Sequence, residues 1–272
     1  NLDSTTWFLD ERIYTACETA SCAEGSANNH QAITTQIQVV NHPAKVDAQL
    51  LLFGTGKYLE TMDGSPEDQI TQSFYAIEDL NGSSVSFDKS DLLEQEILDE
   101  DASFRITTQN PIDWNIHKGW YIDLIANNTT DNKGERQISN AYVANNSVFF
   151  SSFIPADQCS GGGSSWFMGL NLYSGGRFYI SPFDLNSDGV FTLEDRTDLA
   201  GEDVAVSGKK ITSGVPMPAN LFGNGDGGLI QLDIDMGDGS MDSNIINTDS
   251  MLGMGALRNY IGRQSWRQLN VD

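Results

Sequence analysis

Residues 142–154, with the sequence YVANNSVFFSSFI, predict a β-hairpin: two runs of β-branched and aromatic residues meet at Asn145-Asn146. Asparagine tolerates the left-handed backbone that tight turns need. Other short runs, rich in strand-forming residues and bounded by Gly, Asn or Asp, are also predicted to be strands: 33–40, 49–54, 73–78, 119–124, 165–172, 177–180 and 228–233. We therefore predict an all-β chain.

One segment departs from this pattern. In DKSDLLEQEILD, residues 88–99, the side chains of Leu92, Leu93, Ile97 and Leu98 recur at helix-compatible spacing. We predict a short helical insertion near 88–99, packed on the edge of the β domain.

Faint similarities between segments of the chain suggest the architecture. LLFGTGKYLE (51–60) resembles NLFGNGDGGLI (220–230), and GWYIDL (119–124) resembles SWFMGLNL (165–172). Strands that repeat with Gly and aromatic residues fit the blades of a β-propeller, partial or modified. Chance similarity among the strands of a β-sandwich remains the alternative. No boundary interrupts the pattern, so we predict a single domain over 1–272, as the C-terminal part of a larger protein.

The composition is strongly acidic. The 272 residues include 38 Asp and Glu against 15 Lys and Arg, a formal charge of −23. Such a surface repels nucleic acid and anionic membranes and attracts divalent cations, although acidity also simply keeps a secreted protein soluble. No apolar run approaches the roughly 20 residues of a membrane span. The polar start NLDSTTWFLDE lacks a signal peptide and suits a piece of a larger precursor.

The chain has three cysteines. Cys17 and Cys22 lie close in sequence, and we favour a local disulfide formed in an oxidising compartment, with two reduced thiols as the alternative. Cys159 is then unpaired or bonded to a part of a longer protein. A tetrahedral zinc site is not predicted, because no second CxxC is present and the histidines are scattered. The histidines are His30, His42 and His117.

The motif that carries chemistry is DLNSDGVFTLED, Asp184 to Asp195, whose first six positions match the calcium-loop template D-x-[DN]-x-[DN]-G. Calcium takes 6–8 oxygen ligands, and oxygens at alternating positions converge when the chain wraps tightly. Gly189 permits the sharp turn at position 6. The predicted ligands are the side chains of Asp184, Asn186 and Asp188 and the carbonyl of Val190.

The sequence does not decide which residue supplies the last calcium ligand. Thr192 at position 9 can act directly or through water, whereas Asp195 at position 12 is one methylene shorter than the template Glu, with Glu194 as a fallback. The preceding FYISPF predicts a strand followed by proline, so the ion is expected to order a β-anchored loop. A solvated Asx-turn is the alternative interpretation of the motif.

Other acidic and catalytic patterns are weaker. A second acidic cluster lacks calcium-loop spacing and indicates a strand end plus a turn: Asp233, Asp235, Asp238 and Asp242. No GxSxG, HExxH, P-loop or dinucleotide fingerprint occurs. We therefore predict that the chain is not an enzyme.

Several segments in one order resemble a known family. They are FGTGKYL (53–59), QSFYAIED (72–79), GWYIDL (119–124), the long run 134–176 that contains CSGGGSSW, the 184–195 loop and GRQSWRQL (262–269). The order is similar to the C-terminal β-propeller domain of the PilC/PilY family of type IV pilus tip adhesins and biogenesis factors. The similarity covers roughly 31–269.

The resemblance implies a place at the pilus tip or outer surface of a Gram-negative bacterium. It implies calcium on Asp184, Asn186, Asp188 and Val190 plus one further acid, and partners among the minor pilins or tip complex, or a host or abiotic surface. In the family, calcium occupancy is tied to pilus extension and retraction, twitching motility and adhesion. This chain departs at Thr192, where family loops commonly carry an acid. The family's N-terminal adhesive region is not represented, and a full propeller needs more residues.

The sequence also allows two other functions. A secreted lectin-like domain could use calcium to order a ligand loop. A propeller hydrolase or quinoprotein-like oxidoreductase would need a convergent pocket with a perturbed acid or a cofactor base, and the sequence names none.

Overall fold

The fold is built almost entirely of strands. A computed structural model describes residues 13–19, 22, 29–60, 63, 70–80, 86–156, 163–188 and 190–211, and three further strands. The strands are β1 Gln38–Asn41, β2 Ala48–Gly54, β3 Ser73–Leu80, β4 Leu93–Glu100, β5 Phe104–Thr107, β6 Gly119–Ala126, β7 Tyr142–Ala144, β8 Ser147–Pro155, β9 Gly163–Asn171, β10 Arg196–Leu199, β11 Glu202–Ala205, β12 Gly208–Ile211, β13 Asn220–Gly223, β14 Leu229–Asp235 and β15 Met241–Asn247. The predicted all-β class is confirmed.

Some predictions fall outside the described residues. These are Cys159, Gly189, Asp238 and the motif at 262–269. The single-domain prediction for 1–272 also stays a prediction. The second acidic cluster is placed in part: Asp233 and Asp235 lie at the end of β14 and Asp242 lies near the start of β15, as a strand end predicts.

Three sheets organise the strands. Ten strands form one sheet in the order β1-β2-β3-β6-β4-β5-β12-β9-β8-β7, while β10-β11 form a hairpin and β13-β14-β15 a meander. All neighbours in the large sheet are antiparallel except β4 and β6, which run parallel. Within the described residues, no helix is long and apolar enough to cross a membrane.

The hairpin predicted at 142–154 is present as β7 and β8. Tyr142 pairs with Phe149, and the turn places Asn145 at a φ of 53°, the left-handed conformation that asparagine accepts. Every residue of β8 is buried. A strand buried on both faces explains its continuous run of apolar and small residues.

Two aromatic clusters form the core around β8 and β9. On one side, Phe74 and Phe150 stack with ring centroids 4.2 Å apart, next to the fully buried Trp120. On the other, a second cluster contains Phe149, Phe167, Phe178, Phe183, Val206 and Ile211. The second cluster holds the chain that enters the 184–195 loop, because Phe183 belongs to it and Leu185 packs against it.

The helix predicted near 88–99 is wrong. In the described part of that segment only a 3-10 turn, Lys89–Asp91, is helical, and β4 follows. Burial in β4 alternates with period two: Gln95 and Ile97 are both fully buried. The pairing of β4 with β5 and β6 satisfies both edges of the segment, so tertiary contacts override the helical spacing of its leucines.

Two strand predictions also needed correction. Only the end of the predicted strand 33–40 is regular, as β1, and 177–180 is a loop. The backbone of Arg177 donates to Thr108 O at 3.0 Å, and its side chain donates to Thr107 O at 2.7 Å. These bonds tie the segment to the end of β5 without extending a strand.

A buried arginine of the large sheet, Arg105, is paired with two carboxylates. The Arg105 guanidinium on β5 is 1% exposed and donates to both Glu135 carboxylate oxygens at 2.6 Å. It also donates to Glu100, and its Cζ lies 4.3 Å from the Trp166 ring centroid. Burial lowers the pKa of Arg105, but the two carboxylates outweigh this effect and the pKa is raised. The guanidinium therefore stays charged.

Candidate metal centre

The 184–195 loop is anchored by apolar residues at both of its ends. Phe183 is 2% exposed and Phe191 is 9% exposed, so the chain enters the core just before Asp184 and returns to it before Thr192. The Ser181 side chain supports the entry, since its hydroxyl lies 2.9 Å from Phe183 O and 3.0 Å from Phe183 N. The anchors leave the intervening polar segment at the surface, but the predicted strand before the proline is absent and a loop leads into Asp184.

The three predicted side-chain ligands also fold the loop. Asp184 Oδ1 accepts from Ser187 N at 2.6 Å, Asn186 Oδ1 from Asp188 N at 3.0 Å, and Asp188 Oδ1 from Val190 N at 2.7 Å. These are successive Asx turns, in which a side-chain oxygen caps the backbone two or three residues on. Ser187 takes a φ of 61°, so the chain turns sharply within the oxygen-rich half. The loop wraps tightly, as a cation site requires.

Asp195 closes the loop from its far end. Its side chain is fully buried, Oδ1 accepts from Leu185 N at 2.8 Å, and Oδ2 accepts from Thr192 N at 2.8 Å. One carboxylate therefore joins positions 2, 9 and 12 of the motif. This scaffold role was not predicted from the sequence, where Asp195 was only a possible ligand. Its burial follows from tertiary packing, which the local pattern does not contain.

Thr192 is engaged elsewhere. Its Oγ1 accepts from Glu194 N at 3.1 Å, so the hydroxyl caps the turn that leads towards β10. The Glu194 side chain is exposed, and Val190 exposes 55% of its surface. Of the residues considered for closing the site, Asp195 alone is bonded to the backbone beside Asp184.

The donor set fits a hard divalent cation. Carboxylate, amide and carbonyl oxygens are the ligands that calcium prefers. Within the described residues, no Lys, Arg or His nitrogen lies within 4.0 Å of the Asp188 or Asp195 carboxylate. A buried carboxylate such as Asp195 is costly without a positive partner, and a cation in the loop would provide one.

The predicted ligands are brought to one loop, but they do not converge on one point. Among the described residues, three ligand atoms of His, Cys, Asp or Glu lie within 4.8 Å of one another only at Cys17, Cys22 and His30. The carboxylates of Asp184, Asp188 and Asp195 therefore do not form such a group. Their oxygens accept backbone N–H groups, and binding a shared ion requires the carboxylates to move closer together.

Comparisons with known proteins show that the chain is similar to proteins of type IV pilus biogenesis. No family model matches. The chain is 29% identical to the type IV pilus biogenesis factor PilY1 of Pseudomonas aeruginosa strain PAO1, over 96% of the chain and 22% of that protein. It is 28% identical to a PilY1 homologue of Xylella fastidiosa, over 88% of the chain and 17% of that protein. The chain thus spans about a fifth of the length of these curated relatives.

A solved structure matches the fold. The crystal structure of the Pseudomonas aeruginosa PilY1 C-terminal domain superposes with a TM-score of 0.70 and 27% identity, covering 87% of this chain and 47% of that one. The match confirms the predicted fold class, an all-β chain of the propeller type, without the helical insertion.

Proposed function

Since the chain is a C-terminal domain of the PilY1 type, we propose that it serves type IV pilus biogenesis as a non-enzymatic, calcium-binding module. Similarity over nearly the whole chain, in both sequence and structure, supports the pilus role. The chain is a fraction of its relatives' length, so this role concerns the domain and not every activity of a longer protein.

One observation mainly supports calcium binding. The buried Asp195 carboxylate closes a loop of oxygen-bearing side chains. Asp184, Asn186 and Asp188 supply side-chain oxygens, and Val190 supplies a carbonyl. Asp195 is the closing ligand in this proposal, because it offers a charged, buried carboxylate where Thr192 offers only a neutral hydroxyl. Calcium would supply a positive charge beside the buried Asp195 carboxylate.

The ion would act by ordering the loop. Among the described residues Val190 and Leu193 are large apolar side chains of this loop that remain about half exposed, at 55% and 48%. Fixing the loop fixes these side chains for contact with a partner. We propose that the contact is with the pilus machinery, at the pilus tip or outer cell surface, and that it influences extension, retraction, twitching and adhesion.

A genetic experiment tests the pilus role. The gene that encodes the chain is deleted in its own bacterium, surface pili are counted by electron microscopy and twitching zones are measured. We expect fewer pili and smaller zones, both restored by the wild-type gene. The Asp188→Ala gene should restore them less well than an Asp203→Ala control, which removes an equally exposed charge outside the loop. Normal piliation and twitching in the deletion strain would refute the proposal.

A further inference from the structure

We propose that Cys17, Cys22 and His30 form a second metal site, distinct from the 184–195 loop, which takes a soft divalent cation such as Zn²⁺ once the Cys17–Cys22 disulfide is reduced. The structure pairs the two cysteines, as the sequence analysis preferred. It also brings His30 to them, which the scattered histidines of the sequence did not suggest. Sulfur and imidazole nitrogen are the donors that zinc favours.

The backbone sets Cys17 and His30 side by side. They form an isolated antiparallel bridge, flanked by Glu18 N to Asn29 O and Gln31 N to Ala16 O, both at 3.0 Å. In such a non-hydrogen-bonded pair the two side chains lie on one face and approach closely. This proximity comes from the bridge and does not depend on the disulfide.

A buried polar network holds the bridge in place. The Tyr75 hydroxyl lies 2.6 Å from Gln31 Oε1 and 3.2 Å from Cys17 O, and Gln31 Nε2 donates to Thr71 O at 2.7 Å and to Ser73 Oγ at 2.8 Å. Cys17 and Gln31 are 2% and 5% exposed. Two of the three ligands are thus carried by a rigid part of the fold, which lowers the ordering cost of metal binding.

Cys22 supplies the third ligand. Its Sγ lies 3.5 Å from His30 Nδ1. Bonds of about 2.3 Å to sulfur and about 2.05 Å to nitrogen, at a tetrahedral angle, separate the two donors by about 3.6 Å. The observed spacing already suits a shared ion. The two sulfurs of a zinc site lie about 3.8 Å apart by the same geometry, so the disulfide bond must first open.

The Cys17–Cys22 disulfide opens by thiol–disulfide exchange. A dithiol reductant transfers two electrons and two protons to the Cys17–Cys22 bond and becomes a disulfide itself. Metal binding then displaces the two thiol protons, and water completes the tetrahedron. Cys22 lines a cavity of about 340 Å³, and His30 is exposed, so an ion can reach the site. The disulfide and the metal are alternative occupants of the same three side chains.

Cobalt provides the test, because thiolate ligation gives Co²⁺ an intense near-ultraviolet charge-transfer band. The full chain is titrated with Co²⁺ and then Zn²⁺ in excess Ca²⁺, before and after reduction by a phosphine. We expect the band only in the reduced chain, at one equivalent, with displacement by Zn²⁺. Cys22→Ser should abolish it, and His30→Ala should weaken Co²⁺ affinity by more than the roughly 10–100-fold typical of outer-shell losses.

Two controls make the result decisive. His117→Ala removes another histidine, and Cys159→Ser removes the remaining thiol; both should keep the band. Far-ultraviolet circular dichroism reports whether each variant remains folded, and His30→Ala answers the question if Cys22→Ser does not fold. A reduced chain without the band, a band unchanged in His30→Ala, or a band lost in Cys159→Ser would each overturn the proposal.

Discussion

Asp195 and Leu185 are joined across ten residues of the acidic loop, by a hydrogen bond of 2.8 Å from the Leu185 backbone N–H to Asp195 Oδ1. The Thr192 N–H donates to the other carboxylate oxygen at the same distance. Protein groups alone thus hold the two ends of the loop together. The loop therefore has a structural element that is present before any ion binds, and a cation would strengthen it.

The scaffold role of Asp195 predicts a calcium-independent loss of stability. Asp195→Ala leaves two partly buried N–H donors without their acceptor, at a cost of up to about 1–3 kcal/mol each. Urea unfolding in EDTA should show a lower free energy of unfolding for this variant. Glu194→Ala, at the exposed neighbouring position, should change it by less than about 0.5 kcal/mol. Equal stabilities of Asp195→Ala and wild type in EDTA would argue against the closure.

The identity of the closing ligand predicts a difference between two conservative variants. Thr192→Val keeps the side-chain shape and removes Oγ1, whereas Asp195→Asn keeps the shape and removes the charge. Calorimetric titration should show calcium affinity weakened about tenfold or more in Asp195→Asn and little changed in Thr192→Val, because carboxylates dominate calcium sites. The reverse order of affinities would make Thr192 the closing ligand.

The buried guanidinium predicts a large stability effect outside the loop. Glu135→Gln removes the charge of the buried carboxylate that accepts from Arg105 Nη1 and Nη2, and leaves Glu100 as the remaining charged partner. Breaking a buried pair costs up to about 3–5 kcal/mol. Glu60→Gln breaks the exposed pair with Lys57 and should cost less than about 1 kcal/mol. Urea unfolding of both variants checks the contrast. Equal losses would mean that the buried charge is compensated by other groups.

His42 predicts a dependence on pH. Its ring is buried, Nδ1 accepts from Ala44 N and Lys45 N at 3.0 Å, and burial lowers its pKa from 6.5 although Glu78 opposes the shift. The unfolded chain therefore binds a proton at a higher pH than the folded chain does. Stability is fully present above about 6.5 and falls as the pH drops through the folded pKa.

The measurement is urea unfolding at about pH 7.5 and about pH 5.5. Wild type should lose stability between the two, and His42→Gln should lose less, although it is less stable at the higher pH. His117→Gln should behave as wild type. A slope unchanged by His42→Gln would assign the pH dependence to other groups.

Features that depend only on residues close together in the sequence were predicted correctly. The Asn145-Asn146 turn and the alternation of β6 need no distant partner. The segment 88–99 could not be assigned in this way, because its spacing suits a helix and only pairing with β5 and β6 makes it a strand. Equally, the sequence spacing of Cys17 and His30 does not predict the β-bridge that pairs them.

Thermal melting in calcium and in EDTA tests the central claim most directly. Binding to the folded state alone stabilises by about 2.7 kcal/mol when free calcium is 100-fold above Kd. The account predicts a higher Tm in calcium for wild type and for Asp203→Ala, and no such rise for Asp188→Ala, whose Tm in EDTA stays near that of wild type. Identical wild-type melts with calcium and with EDTA would contradict a calcium site in the 184–195 loop.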